Sequence, residues 1–312
     1  MDGTIAITDH GWYERLAAQP GLDEVNFWKP TATRAFRAPE CSPFLFKLRA
    51  EHGHAICGFG FFARYARLPD WLAWETFGLT NGCASLDEMR ARIGGIRHRI
   101  RFAGRRGVDE IGSILILQPT FFPRPLWVAG PRDWKDRTQT PMRYDLSAGE
   151  GARVWQECLA AAGRLGAARD PVRAGILGGP RFGTPTLVRP RLGQGTFRIA
   201  VMDAYDRACA VTGEHSLPAL EAAHIRPFSA SGPHEVGNGV LLRADLHRLF
   251  DKGYVSIDAN SRLLVSDRLK DDFSNGRSYY PLRNRLLELP TPASLRPARE
   301  FIDWHREQVF LG

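Results

Sequence analysis

The chain is 312 residues long, with 44% hydrophobic and 24% charged residues, a composition that excludes disordered and collagen-like proteins and favours two globular domains. A net charge of +8 favours a polyanionic partner, because each neutralised phosphate releases counterions. No apolar run reaches the roughly 18 residues of a membrane span, and the five cysteines include no C-x-x-C pair. With no signal-peptide layout at the N-terminus, we expect a cytoplasmic protein with reduced thiols and no membrane contact.

The first half of the chain predicts a mixture of strands and helices. Short, β-rich apolar runs at 44–48 and 55–62 flank a polar turn and predict a hairpin, and a third apolar run at 111–117 predicts another strand. Ser85 opens a Ser-x-x-Glu capping box, which predicts that a helix begins there. A further helix is predicted from about residue 147 to residue 165. Together these elements indicate an α+β fold.

A positively charged stretch follows the helix that is predicted to begin at Ser85. Residues 90–106 contain seven arginines and no acidic residue. Arginine makes bidentate contacts with phosphate, so this stretch is expected to contact the DNA backbone, the alternative being a solvated helix face. The DNA-binding residues predicted from it are Arg97, Arg99, Arg101, Arg105 and Arg106.

The composition shifts to Gly, Pro and Arg between the two halves of the chain, over residues 167–195. Such a stretch is typical of a linker. We therefore predict an N-terminal domain at 1–165 with a trailing helix, a linker at 166–195 and a C-terminal domain at 196–312.

The C-terminal domain contains a strand–loop–strand–helix pattern. Residues 220–225 and 240–242 predict the two strands, and residues 243–252 predict a helix that ends at Gly253. This is the ββα arrangement that holds a single metal ion. His224, Asn238 and His247 lie at the end of the first strand, at the start of the second and on the helix, at separations of 14 and 9 residues.

The segment resembles the HNH endonuclease family, in the variant with AAHI and LHRLFD found in bacterial restriction-type enzymes, over about 196–312. The resemblance implies metal-dependent hydrolysis of DNA phosphodiester bonds. Neutral imidazole accepts a proton at physiological pH, so His224 is the expected general base, and Asn238 is expected to brace the loop and orient it. His247 and Asp251 lie four residues apart on one helix face and are the expected ligands of Mg²⁺ or Mn²⁺.

One departure from the family leaves the metal ligands open. Many members carry Asp or His directly before the general base, where this chain has Ala223. The ligand set is therefore His247 and Asp251 with water, or Glu221 or Asp245 assists. Glu221 is equally well explained as a surface charge, and Asp245 as a residue of the N-cap type.

The N-terminal half resembles the PUA superfamily, which includes EVE, YTH and ASCH domains, through residues 26–30 and the strand–turn–strand of 44–62, over about 20–145. The resemblance implies a small β-barrel, with flanking helices, that recognises modified or flipped bases. Six of the eight tryptophans lie before residue 150, and most are expected to fill the core. Trp28 and Trp71 stand beside loop-type prolines and are the predicted aromatic walls of a base pocket.

The leading prediction is a modification-dependent DNA restriction endonuclease that flips a modified base, expected to be a cytosine, and cuts double-stranded DNA with a single-metal HNH site. The first alternative is an HNH endonuclease specific for an unmodified sequence. The second is a non-catalytic nucleic-acid-binding module, against which the intact His224, Asn238, His247 and Asp251 count. One HNH site cuts one strand, so a double-strand cut suggests a homodimer or two recruited monomers.

Overall fold

The computed structural model describes residues 1–100, 102, 110–135, 138, 140–169 and 192–312. Contacts within the chain divide it into unit 1, Met1–Arg191, and unit 2, Leu192–Gly312. The division falls inside the segment predicted as a linker, of which residues 170–191 lie outside the described residues. In the described part of the chain, no helix is both long enough and apolar enough to cross a membrane.

Unit 1 is built on one mixed sheet of six described strands, in the order β2-β5-β4-β3-β1-β6. The β1 and β3 strands are parallel and the other neighbours are antiparallel. The predicted hairpin is confirmed by the antiparallel pairing of β3 with β4. The strands are β1 Asp2–Ile7, β2 Glu24–Lys29, β3 Pro43–Lys47, β4 Ile56–Pro69, β5 Glu110–Phe121 and β6 Met142–Asp145.

Four described helices accompany this sheet: α1 His10–Ala17, α2 Asp70–Phe77, α3 Leu86–Arg99 and α4 Gly149–Arg169. The predicted start of α3 is confirmed, because the Ser85 hydroxyl accepts a hydrogen bond from the Glu88 backbone N–H at 3.1 Å. The Glu88 carboxylate accepts from the Ala84 N–H at 2.7 Å. This return bond lies one residue earlier than in the usual capping box.

The described strands form an open sheet and not the closed barrel that the PUA resemblance implied. A barrel closes only when its two edge strands pair, whereas β2 pairs with β5 and β6 with β1 among the described residues. Side chains of β3 alternate between two buried clusters, since Leu45 packs with Trp155 of α4 and Phe44 packs with Trp12 of α1. Helices on both faces thus bury the apolar surface that barrel closure would otherwise bury.

Unit 2 begins with a helix and then contains the predicted ββα element. The β7 and β8 strands pair antiparallel, with His224 opposite Gly239, and α6 follows directly. Gly253 has a positive φ of 77° at the end of this helix, and a side chain there would collide with the Val309 carbonyl. The described elements are α5 Gln194–Ala204, β7 Leu220–His224, β8 Gly239–Arg243, α6 Ala244–Asp251, β9 Val255–Ile257, β10 Leu263–Val265, α7 Arg268–Phe273 and α8 Arg299–Gln308.

A buried histidine ties α8 to the end of α6. The His305 ring is 2% exposed and stacks on Phe250 with centroids 3.7 Å apart. Its Nε2 lies 3.1 Å from the Phe250 carbonyl, which can only accept, so Nε2–H donates and Nδ1 accepts from the Ser256 hydroxyl at 2.9 Å. Burial lowers the pKa of His305 to about 4, and the ring holds the helix that carries the candidate site.

Candidate active site

The ββα element brings four predicted site residues to one edge of unit 2. His224 is the last residue of β7, and Asn238 directly precedes β8. The antiparallel register sets His224 opposite Gly239, so the 13 residues between His224 and Asn238 form a loop that returns to its start. His247 and Asp251 follow on α6, one turn apart.

Asn238 closes this loop with its side chain, which is fully buried. The Oδ1 atom accepts from the Arg226 backbone N–H at 2.9 Å, and Nδ2 donates to the carbonyls of Arg226 and Pro233, each at 2.9 Å. These bonds join the two ends of the loop and satisfy backbone groups that β7 and β8 leave without partners. Among the described residues, no hydrogen bond joins the Asn238 side chain to His224.

His224 is held by two other side chains. Its ring stacks on Phe197 of α5 with centroids 3.9 Å apart, and its Nε2 lies 2.9 Å from Nδ1 of His234. The His234 ring stacks in turn on the exposed Phe228, at 5.1 Å and 6°. The sequence gives no sign of the His224–His234 contact, since a histidine in an irregular loop has no periodicity that indicates its partner.

The surroundings of His224 favour a neutral ring. Burial, together with the neighbouring His234 and His247, lowers its pKa to about 4. Both effects disfavour a positive charge on the His224 ring. At neutral pH the imidazole therefore carries one N–H and one lone pair. A ring in this form can accept a proton.

His247 lies between two carboxylates. Its Nδ1 is 2.6 Å from the Glu221 carboxylate, and its Nε2 is 3.4 Å from the Asp251 carboxylate. An ionised carboxylate only accepts hydrogen bonds, so Nδ1–H donates to Glu221, while Nε2 faces Asp251. A carboxylate that fixes the tautomer of a histidine in this way is the usual outer partner of a metal-binding histidine.

The same arrangement raises the pKa of Asp251. Burial is the main cause, and the nearby negative charge of Glu221 adds to it, although His247 opposes the shift. Two carboxylates and an imidazole in a partly buried place favour a positive ion. One nitrogen and one carboxylate, completed by water, suit Mg²⁺ or Mn²⁺ better than a closed zinc site.

The two other candidate metal ligands, Asp245 and Glu221, each bind another side chain. Asp245 forms a two-pronged ion pair with Arg243, at 3.0 and 2.6 Å, and these hydrogen bonds lower its pKa. Its carboxylate is thus committed to Arg243, while Glu221 is committed to His247. Within the described residues, no group of three or more His, Cys, Asp and Glu side chains is arranged to hold a metal ion.

The predicted DNA-binding arginines of unit 1 are only partly described. Arg97 donates from Nε to the Pro30 carbonyl at 2.7 Å and from Nη2 to the Glu110 carbonyl at 3.1 Å. Arg99 is exposed in the last turn of α3. Arg101, Arg105 and Arg106 lie outside the described residues. Arg97 therefore joins segments of unit 1, and Arg99 is the described member that faces solvent.

The two predicted pocket tryptophans are both half-buried. The Trp28 indole N–H donates to the Asn81 carbonyl at 2.9 Å, and Trp71 is the second residue of α2. Neither lines the cavity of about 690 Å³ that unit 1 contains beside α1. Whether either side chain contacts a base stays a prediction.

Comparison with known proteins bears on the ββα element. Residues 209–258 match the HNH endonuclease family. This HNH segment contains β7, β8 and α6, and with them His224, Asn238, His247 and Asp251. Among solved structures, the chain is similar to one named "Modification dependent TagI restriction endonuclease", with 12% identity, a TM-score of 0.33, and coverage of 98% of this chain and 81% of that chain. No curated protein matches the chain.

Proposed function

We propose that the chain is a divalent-metal-dependent DNA endonuclease of the modification-dependent restriction type. Unit 2 hydrolyses phosphodiester bonds with its HNH segment, and unit 1 recognises a modified base, a cytosine, in double-stranded DNA. One observation carries the proposal. Within the HNH segment, one ββα element carries both a His224 that stays neutral at pH 7 and a His247 whose Nε2 faces Asp251.

In this proposal His224 removes the proton of the attacking water. Its Nε2–H donates to Nδ1 of His234, and the lone pair on Nδ1 accepts the proton. A pKa of about 4 keeps the ring neutral but makes it a weak base. The negative charge of a bound phosphodiester favours the imidazolium form, so substrate binding moves the pKa back toward the range in which histidine accepts a proton.

The remaining residues hold and complete this site. His247 Nε2 and the Asp251 carboxylate would bind the divalent cation, which supplies charge neutralisation at the phosphate and the leaving oxygen. Glu221 fixes the tautomer of His247 through the bond at 2.6 Å. Asn238 keeps the loop closed so that His224 and His234 stay within hydrogen-bonding distance.

Unit 1 is proposed to supply the choice of target. A ββα site acts on the DNA backbone and has little sequence preference of its own, so a second unit must select the base. The proposed unit is a PUA-like base-recognition domain built on an open sheet, with a linker at 166–195. The sequence predicts Trp28 and Trp71 as its base contacts, and the cleft beside α1 offers an alternative set of aromatic walls. A double-strand cut requires two active sites, which we assign to a homodimer on one duplex.

The test is digestion of matched plasmid or phage DNA, with and without cytosine modification, by the full chain in Mg²⁺ or Mn²⁺. We expect cuts only in modified DNA, and none after EDTA or in the His224→Ala variant. Equal cutting of unmodified DNA would remove the modification dependence and leave a sequence-specific HNH endonuclease. Binding without any cutting, in either metal, would contradict the nuclease and favour a non-catalytic module.

A further inference from the structure

A cleft of about 690 Å³ opens in unit 1 beside α1. This volume lies in the range of pockets that hold a small ligand. Its wall is unusually rich in flat side chains, which are contributed by α1, by the turn after β3, by the end of β5 and by the segment that follows it. The aromatic rings that line it are His10, Tyr13, His52, Phe121 and Trp127.

Two sets of rings form a corner in this cleft. His10 and His52 stack face to face, with centroids 3.8 Å apart and planes 11° from parallel. Trp127 stands edge-on to both, at 6.2 and 6.5 Å with an angle of 85°. A flat ligand in such a corner can stack on one plane while its edge meets the other.

Internal hydrogen bonds fix the polar atoms of two of these rings. The Tyr13 hydroxyl donates to the Phe122 carbonyl at 2.7 Å, and the Trp127 indole N–H donates to the same carbonyl at 3.0 Å. The two rings also meet edge to face at 5.7 Å. Their polar edges are therefore occupied within unit 1, and they offer a ligand ring surface on a rigid support, which reduces the entropy lost on binding.

The rim of the cleft carries one charge of each sign. The Glu14 side chain is 64% exposed and lies 3.4 Å from Nδ1 of His10. Arg124 is exposed and lies over the Trp127 ring at 6.0 Å. A carboxylate accepts hydrogen bonds from an exocyclic amino group, and an arginine beside a base site pairs with the flanking phosphate.

We propose that this cleft, and not the surroundings of Trp28 and Trp71, receives a single amino-bearing nucleobase extruded from a DNA strand. The proposal rests on the proposed function, since a base-recognition unit must take its base out of the stack. Flat walls, an acceptor at the mouth and a neighbouring cation match the faces, the amino edge and the phosphate of one nucleotide. Thymine lacks the amino group that Glu14 would accept from, so the cleft favours cytosine, adenine or guanine over thymine.

The experiment uses the full chain with EDTA and a short duplex that carries one 5-iodocytosine, which cross-links to neighbouring aromatic side chains under ultraviolet light. We expect the cross-linked peptides, identified by mass spectrometry, to contain His10, His52 or Trp127. Base stacking on aromatic side chains is sequence-tolerant, so the cross-link should form whether or not the enzyme prefers modified DNA. Cleft occupation and modification dependence are thereby tested separately.

Variants of His52 and Glu14 sharpen the result, because both side chains are partly exposed and their replacement should leave the fold intact. His52→Ala and Glu14→Gln should each lower the cross-link yield about tenfold, whereas His52→Phe, which keeps a flat ring, should retain most of it. His215→Ala, at an exposed histidine of unit 2, is the matched control and should change nothing.

Three outcomes would overturn the proposal. One is a cross-link that maps to the peptides of Trp28 or Trp71, and another is an unchanged yield in both cleft variants. The third is that free deoxycytidine monophosphate binds in the cleft but the duplex forms no cross-link there. The cleft would then be a site for free nucleotides. Equal competition against the cleft cross-link by unlabelled duplexes with modified and with unmodified cytosine would support the proposal while removing modification dependence from the proposed function.

Discussion

Two regions of unit 2 contain a histidine stacked on a phenylalanine, partly buried at His224 and fully buried at His305. His224 stacks on Phe197 at 3.9 Å and His305 stacks on Phe250 at 3.7 Å, and burial is the main reason that each pKa is about 4. They differ in how many of their ring nitrogens have a hydrogen-bond partner. Both nitrogens of His305 have partners, whereas among the described residues His224 uses only Nε2.

The difference separates a structural histidine from one that is available for chemistry. A ring whose two nitrogens are satisfied gains nothing from a new partner and loses a hydrogen bond if it takes up a proton. A ring with one uncommitted nitrogen can accept a proton without losing a bond. Stacking and a lowered pKa therefore do not distinguish the two histidines, whereas the remaining hydrogen-bonding capacity of His224 leaves it available for the proposed chemistry.

The largest effect is expected from loss of the metal site beside His224. His247→Ala and Asp251→Asn should each slow cleavage on the order of a thousandfold at low cation concentration, because the cation supplies several kcal/mol of charge stabilisation. Excess Mn²⁺ should restore part of the rate in Asp251→Asn, measured with nicking of supercoiled plasmid. Calorimetry that shows Mn²⁺ binding unchanged in both variants would remove α6 as the metal platform.

On the structural side, His305→Ala should lower the free energy of unfolding by about 3 kcal/mol, because it leaves a cavity and two unsatisfied groups. The folded pKa of about 4 lies below the unfolded value of about 6.5, so the unfolded state binds more protons between these values. Stability should therefore be full above about pH 6.5 and fall as the pH drops toward 4.

Denaturant unfolding of His305→Gln as a function of pH checks this assignment, with His215→Ala as the exposed control. We expect the variant to show a flatter acid dependence than the original chain, since glutamine does not titrate. The same acid dependence in both would mean that other groups set it. A His305→Ala variant of unchanged stability would place His305 outside the core interactions described here.

A smaller effect is expected at Glu221, which acts on the site only through His247. Glu221→Gln should weaken Mn²⁺ binding about 10- to 100-fold, the usual consequence of changing an outer partner of a metal ligand. Glu307→Gln, an exposed change on α8, is the control. A drop in activity without any change in Mn²⁺ affinity would instead indicate that Glu221 contacts the substrate or water.

The smallest effect is expected at His234, the partner of the proposed base. His234→Ala should lower kcat about tenfold with KM little changed, because it loosens the His224 ring in the chemical step. It should also raise the pKa of His224, since His234 is one of the groups that lower it. His234→Asn keeps an acceptor and should restore most of the rate, whereas a change in KM alone would point to a DNA contact.

The local structure of the chain could be predicted from the sequence. The ββα element and the start of α3 follow from short apolar runs, turn residues and a capping box, all of which act within a few residues. The His–Asn–His spacing also depends on these local elements, since the three residues lie at the end of β7, directly before β8 and on α6.

The contacts that complete the site could not be predicted, because they join distant positions. Glu221 meets His247 across 26 residues, and His234 reaches His224 from within an irregular loop. The parallel pairing of β1 with β3 and the helices on both sheet faces likewise depend on long-range packing. These interactions give an open sheet where the PUA resemblance had implied a barrel.

The most direct test of the central claim is the single-turnover cleavage rate of His224→Ala, with DNA bound beforehand and Mg²⁺ or Mn²⁺ saturating. We expect a rate about 10²- to 10⁴-fold below that of the original chain. DNA affinity and thermal stability should be close to unchanged, because His224 is proposed to act only in the chemical step. Cleavage at the original rate by a folded His224→Ala protein would contradict this claim.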